Sequence, residues 1–360
     1  MITKIQSDLV SAEVVVPVGH IAPVEFCLDE SGKVAKPYSL PGWTPEECKV
    51  DVPAVKWLRG EFFGFPFGPG QDGGPVHGPA ANGPWDIVEK TKNSIRLTVE
   101  LPQQSGLIEK CVELRNGHRA LYIEHKIEGV EGRFNYGHHP VLYIPEKETV
   151  QIRINAFKFG SVYPEVFGDA STGDINVLKE GARFESIDEL PLREGGTLSV
   201  AEYPNPLQYE DLVMMSAADD VRLGWTAVSY DGYVWLSLRS TKQFPSTLFW
   251  LSNGGCAQEP WNNVNGRRIG VEDVCSYFSI DCERSRENPL EEFGIETAKE
   301  FTPRKETYLR HTQLVHPTDG VKPVASVSPV AGEANVLIRF EDGDEVEVAV
   351  DWQWLLEPDQ

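Results

Sequence analysis

Glu272 stands in GRRIGVEDVCSYF, residues 266–278, between a glycine-bearing loop and an apolar run. A carboxylate carried to the rim of a buried strand can take a proton from a bound molecule, because partial burial lifts its pKa toward neutrality. The histidine pair in FNYGHHPVLYIP, residues 134–145, offers the complementary type, an imidazole that holds or releases a proton near pH 7. Adjacent side chains on a strand point to opposite faces. At most one of His138 and His139 therefore serves a given pocket, and Glu272 and Asp273 are not a carboxylate pair sharing one proton. Two plainer readings compete: an ion pair from Glu272 to Arg267 or Arg268, and a histidine that is only a hydrogen-bonded packing residue.

More polar side chains gather in WLRGEFFGFPFGPGQDGGPVHGPAANGPW, residues 57–85, which holds Arg59, Glu61, His77 and Asn82. Its glycines and prolines exclude a strand and imply a long ordered loop, a common carrier of binding residues. The competing reading is a structural loop over one end of the fold. A second polar loop, WLSNGGCAQEPWNNVNG, residues 250–266, leads into Glu272 and contributes Trp261. Other chemistry finds no motif. There is no G-x-S-x-G elbow, no phosphate-binding glycine loop and no G-x-G-x-x-G after a strand. His138 and His139 lack a third ligand at a diagnostic spacing, so neither metal nor organic cofactor is expected. His125 falls on an apolar face and is expected to be a satisfied core histidine.

The elements that must position these residues follow a period of two. In LYIEHKIEG, Leu121, Ile123, His125 and Ile127 share one face, and Tyr122, Glu124, Lys126 and Glu128 the other. Asn116-Gly117 and Asp342-Gly343 signal hairpins. GYVWLSLRS, STLFWLSNGG and ETVQIRINAFKFG predict strands buried on both faces. Helical periodicity is scarce, with short turns expected at TPEEC, SIDEL and NPLEEF. The pattern predicts an all-β protein of many antiparallel strands with few short helices. Residues 1–317 are expected to form a β-sandwich domain and 318–335 a Pro/Gly-rich linker. Residues 336–360 are expected to form a C-terminal hairpin that docks on the main domain or on a partner subunit.

The chain has 360 residues, 32 of them Gly and 26 Pro, and a formal net charge of −22. Such a charge repels phosphate backbones and anionic lipid, so nucleic acid and membrane surfaces are poor partners. No apolar run approaches a membrane span. Six scattered cysteines without a paired spacing read as reduced, cytoplasmic thiols.

Together the three polar stretches resemble the galactose mutarotase-like superfamily, which includes the aldose 1-epimerases. HGPAANGPW is similar to the family's His-Gly motif, which ends in Trp eight residues on, here His77 to Trp85. GHHP is similar to its Gly-x-His-Pro and selects His139. IGVED resembles the late strand that presents a catalytic glutamate and selects Glu272. The resemblance spans residues 10–315 and implies a large antiparallel supersandwich that binds a free sugar. Glu272 would then be the base at the anomeric hydroxyl and His139 the acid at the ring oxygen. His77, Arg59, Asn82 and Trp261 would orient the sugar. Hexose-phosphate members often carry Arg where this chain has Ala81, which argues for a non-phosphorylated substrate. The competing functions are a non-catalytic carbohydrate-binding protein of the same fold, and an isomerase or lyase acting on an unusual uronic or deoxy sugar. A monomer or homodimer is expected.

Overall fold

The computed structural model describes residues 1–70 and 74–357. Residues 71–73 of the long loop and 358–360 of the tail lie outside the described residues. Two antiparallel sheets make the body. The larger has nine strands in the order Glu202–Tyr203, Val150–Ile154, Leu223–Tyr230, Tyr233–Ser240, Thr307–Pro317, Ala120–Glu128, Gly106–Leu114, Ser94–Leu101 and Asp86–Lys90. The other has seven, ordered Phe157–Val162, Tyr209–Ala217, Ser246–Asn253, Arg268–Cys275, Tyr136–His138 and Phe63–Gly64, with Val141–Tyr143 also pairing to Arg268–Cys275.

Alternation sorts each strand of the seven-stranded sheet between two environments. Val213, Phe249, Ile269 and Val271 point inward and share one buried cluster with Ile123, Trp235, Leu309 and Val315 of the nine-stranded sheet. Leu212, Met214, Leu248 and Val274 point outward into a second cluster. Each such large apolar side chain, once fully buried, contributes about 1.5–3 kcal/mol. Both faces of these strands are therefore apolar, which is why they read as continuous runs in the sequence.

The expected hairpins form, joining Gly106–Leu114 to Ala120–Glu128 and Asn335–Phe340 to Glu345–Ala349. Of Asn116-Gly117, only Gly117 takes the positive φ, at 79°. NPLEEF supplies one 3₁₀ turn at Glu291–Phe293, whereas TPEEC and SIDEL give turns. The helices lie elsewhere. Cys282–Arg286 begins where the Asp281 carboxylate accepts from Arg284 N at 2.8 Å.

Two expectations are corrected. Part of the expected linker is a strand: Val324–Pro329 pairs with Asn335–Phe340 in a three-stranded sheet. This ribbon, with the helix Trp352–Leu356, covers the outer face of the nine-stranded sheet, where Val336, Ile338 and Leu355 pack against Tyr122, Trp225 and Leu236. Asp351 fastens it by ion pairing with Arg115 at 2.9 Å. His125 is a core residue but not a satisfied one. Its ring stacks on Phe63 at 3.9 Å, and neither ring nitrogen has a hydrogen-bond partner among the described residues.

Candidate active site

The outward face of the seven-stranded sheet carries a cleft of about 290 Å³. Its floor comes from three neighbouring strands. Register sets Glu272 beside Leu248, Gly270 beside Trp250, and Leu212 beside Trp250 on the other side. Its walls come from loops that carry Leu58, Phe62, His77, Phe167, Asp174, Gln258 and Trp261.

Glu272 and His139 meet directly. Glu272 Oε1 lies 3.2 Å from His139 Nε2, and the carboxyl and imidazole are both buried. His139 follows the strand Tyr136–His138, and its backbone N–H donates to Phe62 O at 2.8 Å. Its ring stacks on Phe62 at 4.4 Å and meets Trp250 edge-on at 5.8 Å. Gly270 leaves room for the pair. A Cβ there would stand 2.8 Å from Glu272 Oε1 and 3.4 Å from His139 Cε1. The rival ion pairs of Glu272 do not form. Arg267 donates to the carbonyls of Ile144, Pro145 and Glu148, and Arg268 to Ser39 Oγ and the carbonyls of Gly266 and Leu40.

His77 reaches the same cleft by a strained turn. It sits at φ 60°, and Gly78 follows at φ 67°, where a Cβ would come within 2.0 Å of Phe65 O. Gly68 N donates to its Nδ1 at 3.2 Å, and its ring stands edge-on to His139 at 5.3 Å. Trp261 also lines the cleft, against Trp43, and its indole N–H has no partner among the described residues.

Two expected binding residues are elsewhere. Asn82 spends its amide on backbone: it accepts from Ala54 N at 2.9 Å and donates to Val76 O at 2.7 Å and Gly78 O at 2.8 Å. It shapes the loop that holds His77 and does not line the cleft. Arg59 lies over the Trp57 ring at 5.3 Å and donates to Trp57 O, outside the cleft lining. Two carboxyls that line the cleft have no sequence signal of their own. Asp174 accepts from Asp169 N and Ala257 N, both at 2.8 Å, and so ties two wall loops together. Glu210 is 5 % exposed, and neither of its oxygens has a hydrogen-bond partner among the described residues.

Burial governs protonation here. It raises the Glu272 carboxyl well above its ordinary value. It also holds His139 well below 6.5, with the charge of nearby His77 acting in the same direction. Burial lowers His77 to about 4 and pushes Glu210 up to about 8. The contact between Oε1 and Nε2 needs one proton between two lone pairs. In these dry surroundings that proton rests on Glu272, as a neutral acid donating to a neutral imidazole.

These shifts predict how stability responds to pH. Glu210, Asp211 and Glu272 all keep protons in the fold that the unfolded chain releases near pH 4–4.5. Their contribution is complete at low pH and is lost as pH rises through the folded values, about 7 for Asp211 and about 8 for Glu210. Buried His20, His77, His125, His138 and His139 act oppositely, because the unfolded chain protonates them below 6.5. The two sets offset each other between about pH 4.5 and 6.5. Above 6.5 the carboxyls act with little opposition, save from Lys110 toward the upper end, whose pKa burial lowers. The urea midpoint is therefore expected to fall between pH 6.5 and 8, and an equilibrium series that rose over that interval would refute the assignment.

Comparison with known proteins places the fold. No family model matches the chain, and no curated protein matches it in sequence. Solved structures do match. A galactose mutarotase related enzyme from Lactobacillus acidophilus superposes with a TM-score of 0.56 at 14 % identity, covering 89 % of this chain and 100 % of its own. The fold is that of the galactose mutarotase-like proteins. A candidate aldose 1-epimerase from Escherichia coli K12 superposes with a TM-score of 0.57 at 13 % identity, over 88 % of this chain and 99 % of its own. A galactose mutarotase-like protein from Lactobacillus casei gives 0.51 at 13 %, over 88 % and 100 %. Within this mutarotase-like fold, the cleft with Glu272 and His139 lies on the outward face of the seven-stranded sheet.

Proposed function

We propose that the chain is an aldose 1-epimerase-like enzyme that interconverts the anomers of a non-phosphorylated sugar. The observation that carries this reading is the 3.2 Å contact between Glu272 and His139 in one cleft. Ring opening needs the proton removed from the anomeric hydroxyl and another delivered to the ring oxygen. In the ion-pair tautomer, Glu272 takes the first and His139 gives the second. Opening therefore leaves the open-chain aldehyde, a neutral carboxylic acid and a neutral imidazole. Rotation about C1–C2 presents the other carbonyl face. Closure then returns the Glu272 proton to O1 and the O5 proton to His139. Protons balance, and no metal or organic cofactor enters. The neutral acid–imidazole contact is already the protonation state that closure uses. Sugar hydroxyls bound at Glu272 favour the ionised tautomer that opening uses.

His77 and Trp261 orient the sugar, and Glu210 accepts from or donates to its hydroxyls. Among the described residues, three carboxyls and no Arg or Lys line the cleft, which disfavours phosphate and uronate groups. Saturation-transfer NMR on a panel of free aldoses tests the reading. Protein-dependent exchange between the two anomer signals is expected for at least one neutral sugar. Binding across the panel without exchange would instead make the protein a carbohydrate-binding module.

A further inference from the structure

Three dipeptides flank the acid-base pair, and each turns its second side chain away from the cleft into the sandwich interior. Phe62 stacks on His139, and its neighbour is Glu61. His139 has His138, and Glu272 has Asp273. The three hidden side chains, all 0 % exposed, are joined to one another. Glu61 Oε1 lies 2.6 Å from His138 Nδ1, and Glu61 Oε2 accepts from Gln313 Nε2 at 2.7 Å. Gln313 Nε2 lies 3.3 Å from His311 Nδ1, and His311 Nε2 lies 2.8 Å from Asp273 Oδ2. The result is an unbroken chain, His138–Glu61–Gln313–His311–Asp273, running through the sandwich interior.

Its two middle members, His311 and Gln313, belong to the Thr307–Pro317 strand of the opposite sheet. The opposite sheet thus grips the floor from behind at three points. Further contacts fix each member. Tyr38 OH donates to Gln313 Oε1, and the His138 and His311 rings stack at 4.2 Å. Thr247 Oγ1 donates to Asp273 Oδ1 at 2.6 Å, Ser237 Oγ donates to Oδ2, and Arg239 Nη1 lies 3.1 Å from Oδ1. An apolar filling would pack this space without desolvating so many polar groups. What the polar chain adds is direction, because hydrogen bonds fix angles that apolar contacts leave free.

We propose that Glu61 and Gln313 are positioning residues, members of an interior clasp that holds Phe62, His139 and Glu272 at their working separations. This rests on the acid-base reading of the cleft. Neither residue touches the sugar. Glu61 acts through its own backbone on Phe62, the next residue, and Gln313 acts through its hydrogen bond to Glu61.

Glu61→Gln tests the clasp. It keeps the side chain's shape but leaves one acceptor oxygen where the carboxyl had two, so the His138 and Gln313 bonds survive together only if His138 changes tautomer. The anomer exchange rate at saturating sugar is expected to fall about tenfold, with KM within about twofold, because the reacting groups are displaced and the sugar contacts are not. The swap of both residues, Glu61→Gln with Gln313→Glu, restores one donor and one acceptor and is expected to return the rate to within about threefold of wild type. A purely structural role would lower the melting temperature and leave the rate of the folded fraction unchanged, and that result overturns the proposal. A second readout does not need turnover: the ring nitrogen shifts of His139 by NMR. They are expected to move in Glu61→Gln, while those of His118, whose Nδ1 is bonded to Tyr122 OH, stay put. If no sugar is turned over and the His139 shifts still move, the clasp stands and the epimerase reading falls. Unmoved His139 shifts remove the clasp. If Glu61→Gln does not fold, Thr247→Val takes its place, deleting one bond to Asp273 at constant volume. A slower exchange rate with moved His139 shifts then supports the clasp, and an unchanged rate with unmoved shifts overturns it.

Discussion

Glu272→Gln is expected to slow anomer interconversion by about 10²–10⁴-fold, the range a positioned general base supplies. The amide fits the space of the carboxyl, and it can still hydrogen-bond His139 Nε2 at the 3.2 Å contact. What it lacks is a proton acceptor of useful basicity. Sugar affinity should change little, since His77, Glu210, Trp250 and Trp261 are untouched. Affinity measured by titration calorimetry beside the exchange rate separates the two effects. Wild-type turnover by this variant would remove Glu272 as the base, and with it the ring-opening scheme. Asp273→Asn is the informative companion. It alters the residue next in sequence but on the other face, so any loss it causes passes through the interior and leaves the cleft's own groups in place.

Glu272 and His139 are legible in the sequence because a strand has only two faces. Once one neighbour of each pair is assigned to a pocket, the other is assigned to the interior, and the short motifs IGVED and GHHP decide which. Their contact at 3.2 Å is not legible, since it depends on Gly270 lacking a side chain between them. Glu210 escapes notice for a related reason. In QYEDLVMM its charge reads as the polar start of a strand, and only its register beside Ser252 turns it toward the cleft. Asn82 misleads because proximity to His77 in the sequence marks the loop, not the pocket. The strand Val324–Pro329 is hidden by a bulge. Its pairing slips between Val324 and Ser326, so Val324 and Val327 both face inward at a spacing of three, and the period of two disappears.

Asp273→Ala is expected to cost about 3–5 kcal/mol, the usual penalty for removing one partner of a buried ion pair. Arg239 is 0 % exposed, and Asp273 is its charge partner at 3.1 Å. Burial alone would raise the Asp273 carboxyl, yet Arg239 and then His311 outweigh it and hold the group below the ordinary range. Deleting the carboxylate strands a guanidinium in the sandwich and leaves His311, Ser237 and Thr247 facing a hole. Against a typical total of about 5–15 kcal/mol, a fifth or more of the stability goes. At roughly 2.1 cal/mol/K per residue, the melting temperature should drop by about 4–7 °C. The decisive comparison is the double variant Asp273→Ala with Arg239→Met. If the cost is an uncompensated charge, removing the charge as well recovers stability, and the double variant melts above the single one. If the cost is lost packing alone, the second deletion adds to the first. The same pair of variants bears on the cleft, because the strand that carries Asp273 inward carries Glu272 outward. A double variant that regains its melting temperature but not its exchange rate would mean that the interior polar groups serve the geometry of the site rather than the stability of the fold.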